Sequence, residues 1–323
     1  MNPEINIIIP LYNEEKVFPL LITRIIELLN NSSFLISVIL VDDGSSDSTP
    51  MLMRELSSGD ERFSSIILSR NFGHQLALTA ALTMVNASEA VMIIDGDLQD
   101  PPELVEDLFL LYKEGYDVVY AIRESRKEVF FKVVFYKLFY RILQKIASID
   151  MPLDSGDFSL LSRRVVDIMN TMPEESRYLR GMRSWIGFKQ IGFKYSRPDR
   201  HAGKTQYSLG QLLKLAMNGI FNFSEFPIKF ITFLGVSTMS ISLIYFFITL
   251  VKRFTSGYVP EGFTAIIFLI ILFGGVQLIS IGIIGEYLIR VFFQVKKRPL
   301  FIIKELIVDK KEIKNNDFSS KLF

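Results

Sequence analysis

The sequence predicts an α/β domain with a mostly parallel, Rossmann-like sheet, followed by a C-terminal two-helix transmembrane hairpin. Three observations carry this. Short apolar runs alternate with helix-length segments from Ile5 to Ala121, the pattern of a doubly wound sheet. Those runs end in loops rich in Asp, Asn and Gly. Beyond Lys229 lie two uncharged runs, of 22 and 23 residues.

Taken in order, Ile5 to Pro10 is an apolar strand, followed by Leu11-Tyr12-Asn13-Glu14-Glu15 and a helix to about Asn30. Ser37 to Val41 is a second strand, ending in Asp42-Asp43-Gly44-Ser45-Ser46-Asp47. Thr49 suits a helix cap with Pro50 behind it, and Asp47 suits an Asx turn. Ser65 to Leu68 is a third strand, followed by Arg70-Asn71-Phe72-Gly73 and a helix through Leu82. Val91 to Ile94 is a fourth, apolar enough to be covered on both faces. After it come Asp95-Gly96-Asp97-Leu98-Gln99-Asp100 and then Pro101-Pro102, which set up a helical turn. Val118 to Ala121 is a fifth strand.

The ends of parallel strands share one edge of the sheet, where open α/β folds bind ligands. Asp95 and Asp97, with Gln99 beside them, offer hard oxygen ligands suited to Mg²⁺ or Mn²⁺. Such an ion is typically held by one or two carboxylates together with substrate phosphates. An acidic turn alone is a weak signal, but Tyr12-Asn13-Glu14 and Asp42-Asp43 lie at the same edge.

Composition removes several alternatives. There is no Cys, so disulfides, thiolate chemistry and Cys-based metal sites are excluded. The two histidines, His74 and His201, are too few for a zinc cluster. A net charge of +1 gives no field favouring nucleic acid. Neither G-x-G-x-x-G nor a P-loop is present. Met1-Asn2-Pro3-Glu4 lacks the basic and apolar regions of a signal peptide, which places the first half in the cytoplasm.

Pro10-Leu11-Tyr12-Asn13-Glu14, Val41-Asp42-Asp43-Gly44-Ser45-Ser46-Asp47 and Asp95-Gly96-Asp97-Leu98-Gln99-Asp100-Pro101-Pro102 together resemble glycosyltransferase family 2. The last phrase resembles its polyprenyl-phosphate branch, the dolichol-phosphate mannose synthases and bactoprenol glucosyltransferases. The resemblance implies a GT-A fold. It implies a nucleotide-sugar site of Pro10, Tyr12, Glu14, Asp42, Asp43 and Asp95, with Asp42 or Asp43 toward the base. It implies metal ligation by Asp95, Asp97 and Gln99. Leu153-Asp154-Ser155-Gly156-Asp157-Phe158 matches the family's next block, with Asp157 as the catalytic carboxylate. Arg197 to Tyr207 resembles the mobile loop over the donor diphosphate, with Arg200 and Lys204 as its cations. Arg123, Arg126 and Lys137 are assigned to the acceptor phosphate. Arg180 to Trp185 lacks the Q-x-x-R-W of processive polysaccharide synthases, which argues against a polymerase.

Phe130 to Ala147 is apolar and aromatic with a stripe of Lys137, Arg141 and Lys145, which fits a helix at a membrane interface. The resemblance places such a helix at about 128–147, and a second amphipathic helix is expected at about 208–223. The uncharged runs, 230–251 and 263–285, reach about 33 Å at ~1.5 Å per residue, enough for a bilayer core of about 30 Å. Seven basic residues flank the hairpin (Lys214, Lys229, Arg290, Lys296, Lys297, Arg298, Lys304), against Lys252 and Arg253 in its loop. That bias puts both ends in the cytoplasm.

The expected organisation is a cytoplasmic catalytic domain over 1–228, two transmembrane helices within 229–290 and a cytoplasmic tail over 291–323, frayed from Lys310. The expected activity is inverting transfer of a hexose, glucose from UDP-glucose first, to undecaprenyl phosphate at the bacterial inner membrane. GDP-mannose is the rival donor, and a non-catalytic nucleotide-sugar-binding assembly factor the rival class. Gly274, Gly275 and Gly282 suit close helix packing, and a homo-oligomer, taken as a tetramer, is expected.

Overall fold

Strand β1 (Ile5–Leu11) runs through the middle of the sheet, and its side chains alternate between two cores. Ile5, Ile7 and Ile9 enter one and Ile8 the other, all fully buried. That burial on both faces explains the unbroken apolar run. The computed structural model describes residues 3–123, 155–175, 177–195, 226–256 and 262–313. The interface helices expected at 128–147 and 208–223 lie outside them, as do Arg126, Lys137, Arg200 and Lys204.

After β1 come α1 (Phe18–Asn31), β2 (Ile36–Asp42), α2 (Thr49–Gly59), β3 (Phe63–Leu68), α3 (His74–Thr83) and β4 (Ala90–Ile93). A 3₁₀ turn (Pro102–Leu104) leads into α4 (Val105–Lys113) and β5 (Val118–Arg123). Then follow β6 (Ser155–Ser162), α5 (Arg163–Thr171), α6 (Leu179–Trp185) and β7 (Gln190–Tyr195). The chain continues through α7 (Phe226–Ser256), α8 (Phe263–Lys296), β8 (Ile303–Val308) and β9 (Lys311–Ile313). The strand order is β7-β5-β6-β4-β1-β2-β3-β8-β9. Side chains of α1, α2 and α4 join one core, and those of α3, α5 and α6 join the other.

The described sheet is mostly parallel in strand direction, as expected, with β6 and β8 reversed: β4-β1-β2-β3 is the parallel centre, and β5 pairs with β7 in parallel. The pairs β4–β6, β5–β6, β3–β8 and β8–β9 are antiparallel. One expectation is corrected: the stretch from Lys310, read as frayed, begins with β9, which pairs with β8 inside the expected 291–323 tail. Ile303, Leu306 and Ile307 are buried against the sheet, Ser69 N–H donates to Ile302 O at 2.9 Å, and Arg54 Nε reaches Glu305 Oε2 at 3.1 Å. Asp309 and Lys310, both at positive φ, form the two-residue turn between β8 and β9. The charged residues that suggested a loose tail are the outward side of an edge hairpin.

The described residues form two units: the sheet with its helices, including the chain from Arg298 onward, and the two long helices. Helices α7 and α8 overrun the uncharged runs at their ends. Among the described residues, the spans Pro227–Tyr245 and Leu272–Lys296 within them have mean hydropathy 1.5 and 1.7 and are not buried. Both are long and apolar enough to cross a membrane. A Cβ added at Gly274, Gly275 or Gly282 would touch nothing within 4 Å, so these glycines do not mark a close contact within the unit.

Candidate active site

The loops after β1, β2, β3 and β4 meet at one sheet edge, stitched together by backbone-to-side-chain hydrogen bonds. Asn13, at φ 55°, donates its N–H to Ser45 Oγ at 2.8 Å, while its own Oδ1 accepts from Ser46 N–H at 2.9 Å. Glu14 N–H donates to Thr49 Oγ1 at 3.0 Å, so the Thr49 hydroxyl joins two loops rather than capping its own helix. Asp47 takes the capping role: Oδ1 accepts from Thr49 N–H at 3.0 Å and Oδ2 from Glu15 N–H at 3.2 Å. Tyr12 is half exposed beside this network, directly after Pro10-Leu11.

Asp42 and Asp43 are both buried. Asp42 accepts from the N–H groups of Gly44 and Ser45, each at 3.1 Å. Asp43 reaches across to the next loop, accepting from Phe72 N–H at 2.7 Å and Gly73 N–H at 2.9 Å. Burial raises the pKa of both carboxyls, against these hydrogen bonds. Gly44 is required here: its φ is +69°, and a Cβ would fall 2.2 Å from the Arg70 carbonyl carbon.

The carboxylate loop after β4 is folded tightly. Leu98 is buried at φ 61°, a sparsely populated conformation of the kind that clusters at functional sites. A Cβ on Gly96 would fall 2.6 Å from Leu11 Cδ2. Asp97 Oδ1 accepts from Gln99 N–H at 3.1 Å, and Gln99 is buried. Asp100, also buried, accepts from Tyr195 Oη at 2.7 Å. Among the described residues no group of three or more carboxylate or imidazole side chains is placed to hold a metal alone. Asp95 and Asp97 are carboxylates two residues apart in this loop, a donor set of the kind that suits a divalent ion also bound by substrate phosphates.

Asp157 reaches the same edge through sheet register. Strands β4 and β6 are antiparallel with Ile93 opposite Ser159, so two residues further on Asp95 and Asp157 come together. His74, the first residue of α3, lies between them: Nε2 is 3.4 Å from Asp157 Oδ2 and 3.8 Å from Asp95 Oδ1. Asp157 also accepts from Gln75 Nε2 at 3.0 Å, Arg180 Nε at 2.9 Å and Arg180 Nη2 at 3.2 Å. Burial would raise its pKa, but the charge of Arg180 and the hydrogen bonds and charge of His74 outweigh it and hold the carboxyl well below the usual range. Asp95 shifts the other way, to about 6, through burial and repulsion from Asp100, Asp157 and Asp97, partly offset by His74. Burial works against His74 charging, but Asp157 and Asp95 prevail and raise it.

His74, Gln75 and Arg180 were missed as site residues by the sequence reading. The available signal was positional: His74 begins the helix after β3, at the same edge as the three acidic loops. Arg183, buried, donates to the Ser159 hydroxyl at 2.9 Å and to the Gly156 carbonyl at 3.2 Å, bracketing Asp157. Arg123 ends β5, opposite Tyr195 of β7.

Residues 6–168 match the family model for glycosyl transferase family 2. YkcC of Bacillus subtilis, described as an uncharacterized glycosyltransferase, is 41% identical over 301 residues, 93% of each chain. The Synechocystis sp. glycosyltransferase sll0501, likewise described as uncharacterized, is 38% identical over 95% of this chain and 96% of its own. A prophage bactoprenol glucosyl transferase homolog of Escherichia coli is 33% identical over 94% of this chain and 99% of its own.

Proposed function

The chain belongs to glycosyltransferase family 2, and from that premise we propose that it transfers glucose from UDP-glucose to undecaprenyl phosphate at the cytoplasmic face of the bacterial inner membrane. It is a glycosyltransferase with a GT-A-like domain. The observation that carries a lipid-carrier acceptor is the near full-length similarity to the bactoprenol glucosyl transferase homolog. The two long apolar helices support it.

Connectivity supports the topology. β8, after the helices, pairs with β3, before them. Both strands share one compartment, so α7 and α8 cross a membrane an even number of times or not at all. The basic residues on either side of the pair favour the cytoplasm. On this reading residues 1–228 are the catalytic domain, completed by the strands beyond Arg298.

In the proposed reaction a phosphate oxygen of the lipid attacks the anomeric carbon in line. A new carbon–oxygen bond forms, the bond to the diphosphate breaks, and its electron pair leaves with UDP, inverting the configuration. A lipid phosphate has its second pKa near ~6 and needs little deprotonation at neutral pH. The strongly acidic Asp157, already bonded to Arg180, His74 and Gln75, suits an orienting role better than that of a base. Asp95, Asp97 and Gln99 would hold Mg²⁺ or Mn²⁺, which when bound would supply positive charge for the leaving diphosphate. Tyr12 and Glu14 would line the nucleoside pocket after Pro10, with Asp42 and Asp43 shaping the loop beneath the base. Arg200 and Lys204 would close on the diphosphate, and Arg123, Arg126 and Lys137 would lie toward the acceptor. A homo-oligomer, tetrameric by our reading, completes the proposal.

A donor panel tests it. Purified full-length protein in detergent is given undecaprenyl phosphate, Mg²⁺ and radiolabelled UDP-glucose or GDP-mannose. Organic-phase label from UDP-glucose is the expected result. Label from GDP-mannose alone would reassign the donor, and donor binding without transfer would favour an assembly factor.

A further inference from the structure

Asp157 is saturated with donors in a way that leaves the function of its neighbours open. A carboxylate has about four lone-pair directions, and Arg180 Nε, Arg180 Nη2, Gln75 Nε2 and His74 Nε2 all lie within 3.4 Å of its two oxygens. Two helices, α3 and α6, are held by this one side chain of β6. Gln75 extends the link, accepting from Leu179 N–H at 3.0 Å through its Oε1, so the starts of α3 and α6 are tied to the start of β6.

Arg180 and Arg183 lie three residues apart on α6 and so share a face. Their surroundings differ. Arg183 is 3% exposed and holds the backbone and hydroxyl around Asp157. The side chain of Arg180 is 34% exposed, while that of its partner Asp157 is 8% exposed. Arg180 is therefore a permanent positive charge, part-exposed, held at one end by a buried carboxylate.

The chemistry favours a cation there in addition to Arg123, Arg126 and Lys137. The nucleophile of the proposed reaction is a phosphate dianion, and it must approach a site containing Asp95, Asp97 and Asp157. A cation bonded directly to Asp157 offsets like-charge repulsion at that carboxylate. A guanidinium held in one orientation suits phosphate recognition through paired N–H donors.

We propose that Arg180 binds the phosphate of the lipid acceptor, and that Asp157 is the positioning residue that aims it. This rests on the lipid-phosphate reading above and assigns a residue to its acceptor subsite.

Steady-state kinetics with undecaprenyl phosphate and UDP-glucose varied separately test the assignment, with UDP affinity and thermal unfolding measured in parallel. Arg180→Gln raises the acceptor KM about 30- to 100-fold, the loss of a charged hydrogen-bonding partner, with Kd for UDP within about threefold of wild type. Arg180→Lys retains part of the acceptor affinity. Because Arg180→Gln leaves a buried carboxylate without its main partner, the double variant Arg180→Gln, Asp157→Asn is included; it restores thermal stability and keeps the raised acceptor KM. A double variant with the wild-type acceptor KM would reduce Arg180 to a neutraliser of Asp157 and overturn the proposal. So would an unchanged acceptor KM in Arg180→Gln, or a parallel loss of UDP affinity. A wild-type protein that transfers to no polyprenyl phosphate would instead remove the parent reading, and this one with it.

Discussion

Arg180 and Asp157, 23 residues apart, form a two-point ion pair at the base of the site, Nε to Oδ1 at 2.9 Å and Nη2 to Oδ2 at 3.2 Å. Asp157 has the lowered pKa of a carboxylate stabilised in its charged form. Its contribution to stability is present above the ordinary carboxylate value and is lost as pH falls through the lowered one. Asp157→Asn should therefore destabilise the folded protein by about 2 kcal/mol at pH 7.5, discounted for the exposure of Arg180. The difference should shrink in strongly acidic buffer. Thermal unfolding at both pH values checks this.

Asp95 should behave in the opposite sense. Its folded pKa of about 6 lies above the ordinary 3.8, so ionisation is penalised in the folded state. The associated stability is complete below the ordinary value and lost as pH rises through about 6. Asp95→Asn should therefore raise the unfolding temperature of metal-free protein at pH 7.5 and change little at pH 4. About a third of the side chain reaches water, which reduces the gain to about 1 kcal/mol. The same variant should lose transfer activity, and Mg²⁺ with UDP should stabilise it less than wild type.

Gly44→Ala should disturb the donor loop. A methyl group at φ +69°, 2.2 Å from the Arg70 carbonyl carbon, cannot be absorbed by side-chain rotation. The loops carrying Asp42, Asp43 and Phe72 must separate, at a cost of about 2 kcal/mol or more. The expected result is a lower unfolding temperature with weakened UDP binding, measured by calorimetry.

The chain beyond the long helices should be indispensable. Leu306, buried opposite Ile66, should cost about 2–4 kcal/mol when changed to Ala. Deletion of residues 299–323 should expose the edge of β3 and yield aggregated protein, seen by size-exclusion chromatography. An intact, active truncation would show that β8 is dispensable.

The parallel centre of the sheet was legible because β1, β2 and β4 are apolar on both faces and end in acidic loops. Asp47 was legible as a turn residue for the same local reason. β6 was not, because its place between β4 and β5 reverses the chain direction and depends on pairing Ile93 with Ser159, 66 residues apart. β8 and β9 were obscured by Lys304, Glu305, Lys310 and Lys311, whose charges suit an edge hairpin as well as a loose end. His74 and Arg180 meet Asp157 only through long-range contacts, which no spacing rule exposes. Asp95 and Asp97 were legible from their place at a strand end and Asp157 through motif resemblance, but the ion pair that defines the state of Asp157 required the fold.

Glucose transfer by wild type and Asp97→Ala, compared in one assay, decides whether the acidic edge of the sheet catalyses sugar transfer to a lipid phosphate. Radiolabelled UDP-glucose, undecaprenyl phosphate and Mg²⁺ are incubated with each protein, and label is counted in the organic phase. Wild type should transfer label, lose transfer with EDTA and recover it on adding Mg²⁺, and Asp97→Ala should be reduced ~10³-fold or more. Undiminished transfer by Asp97→Ala, or none by wild type with any polyprenyl phosphate, would contradict it.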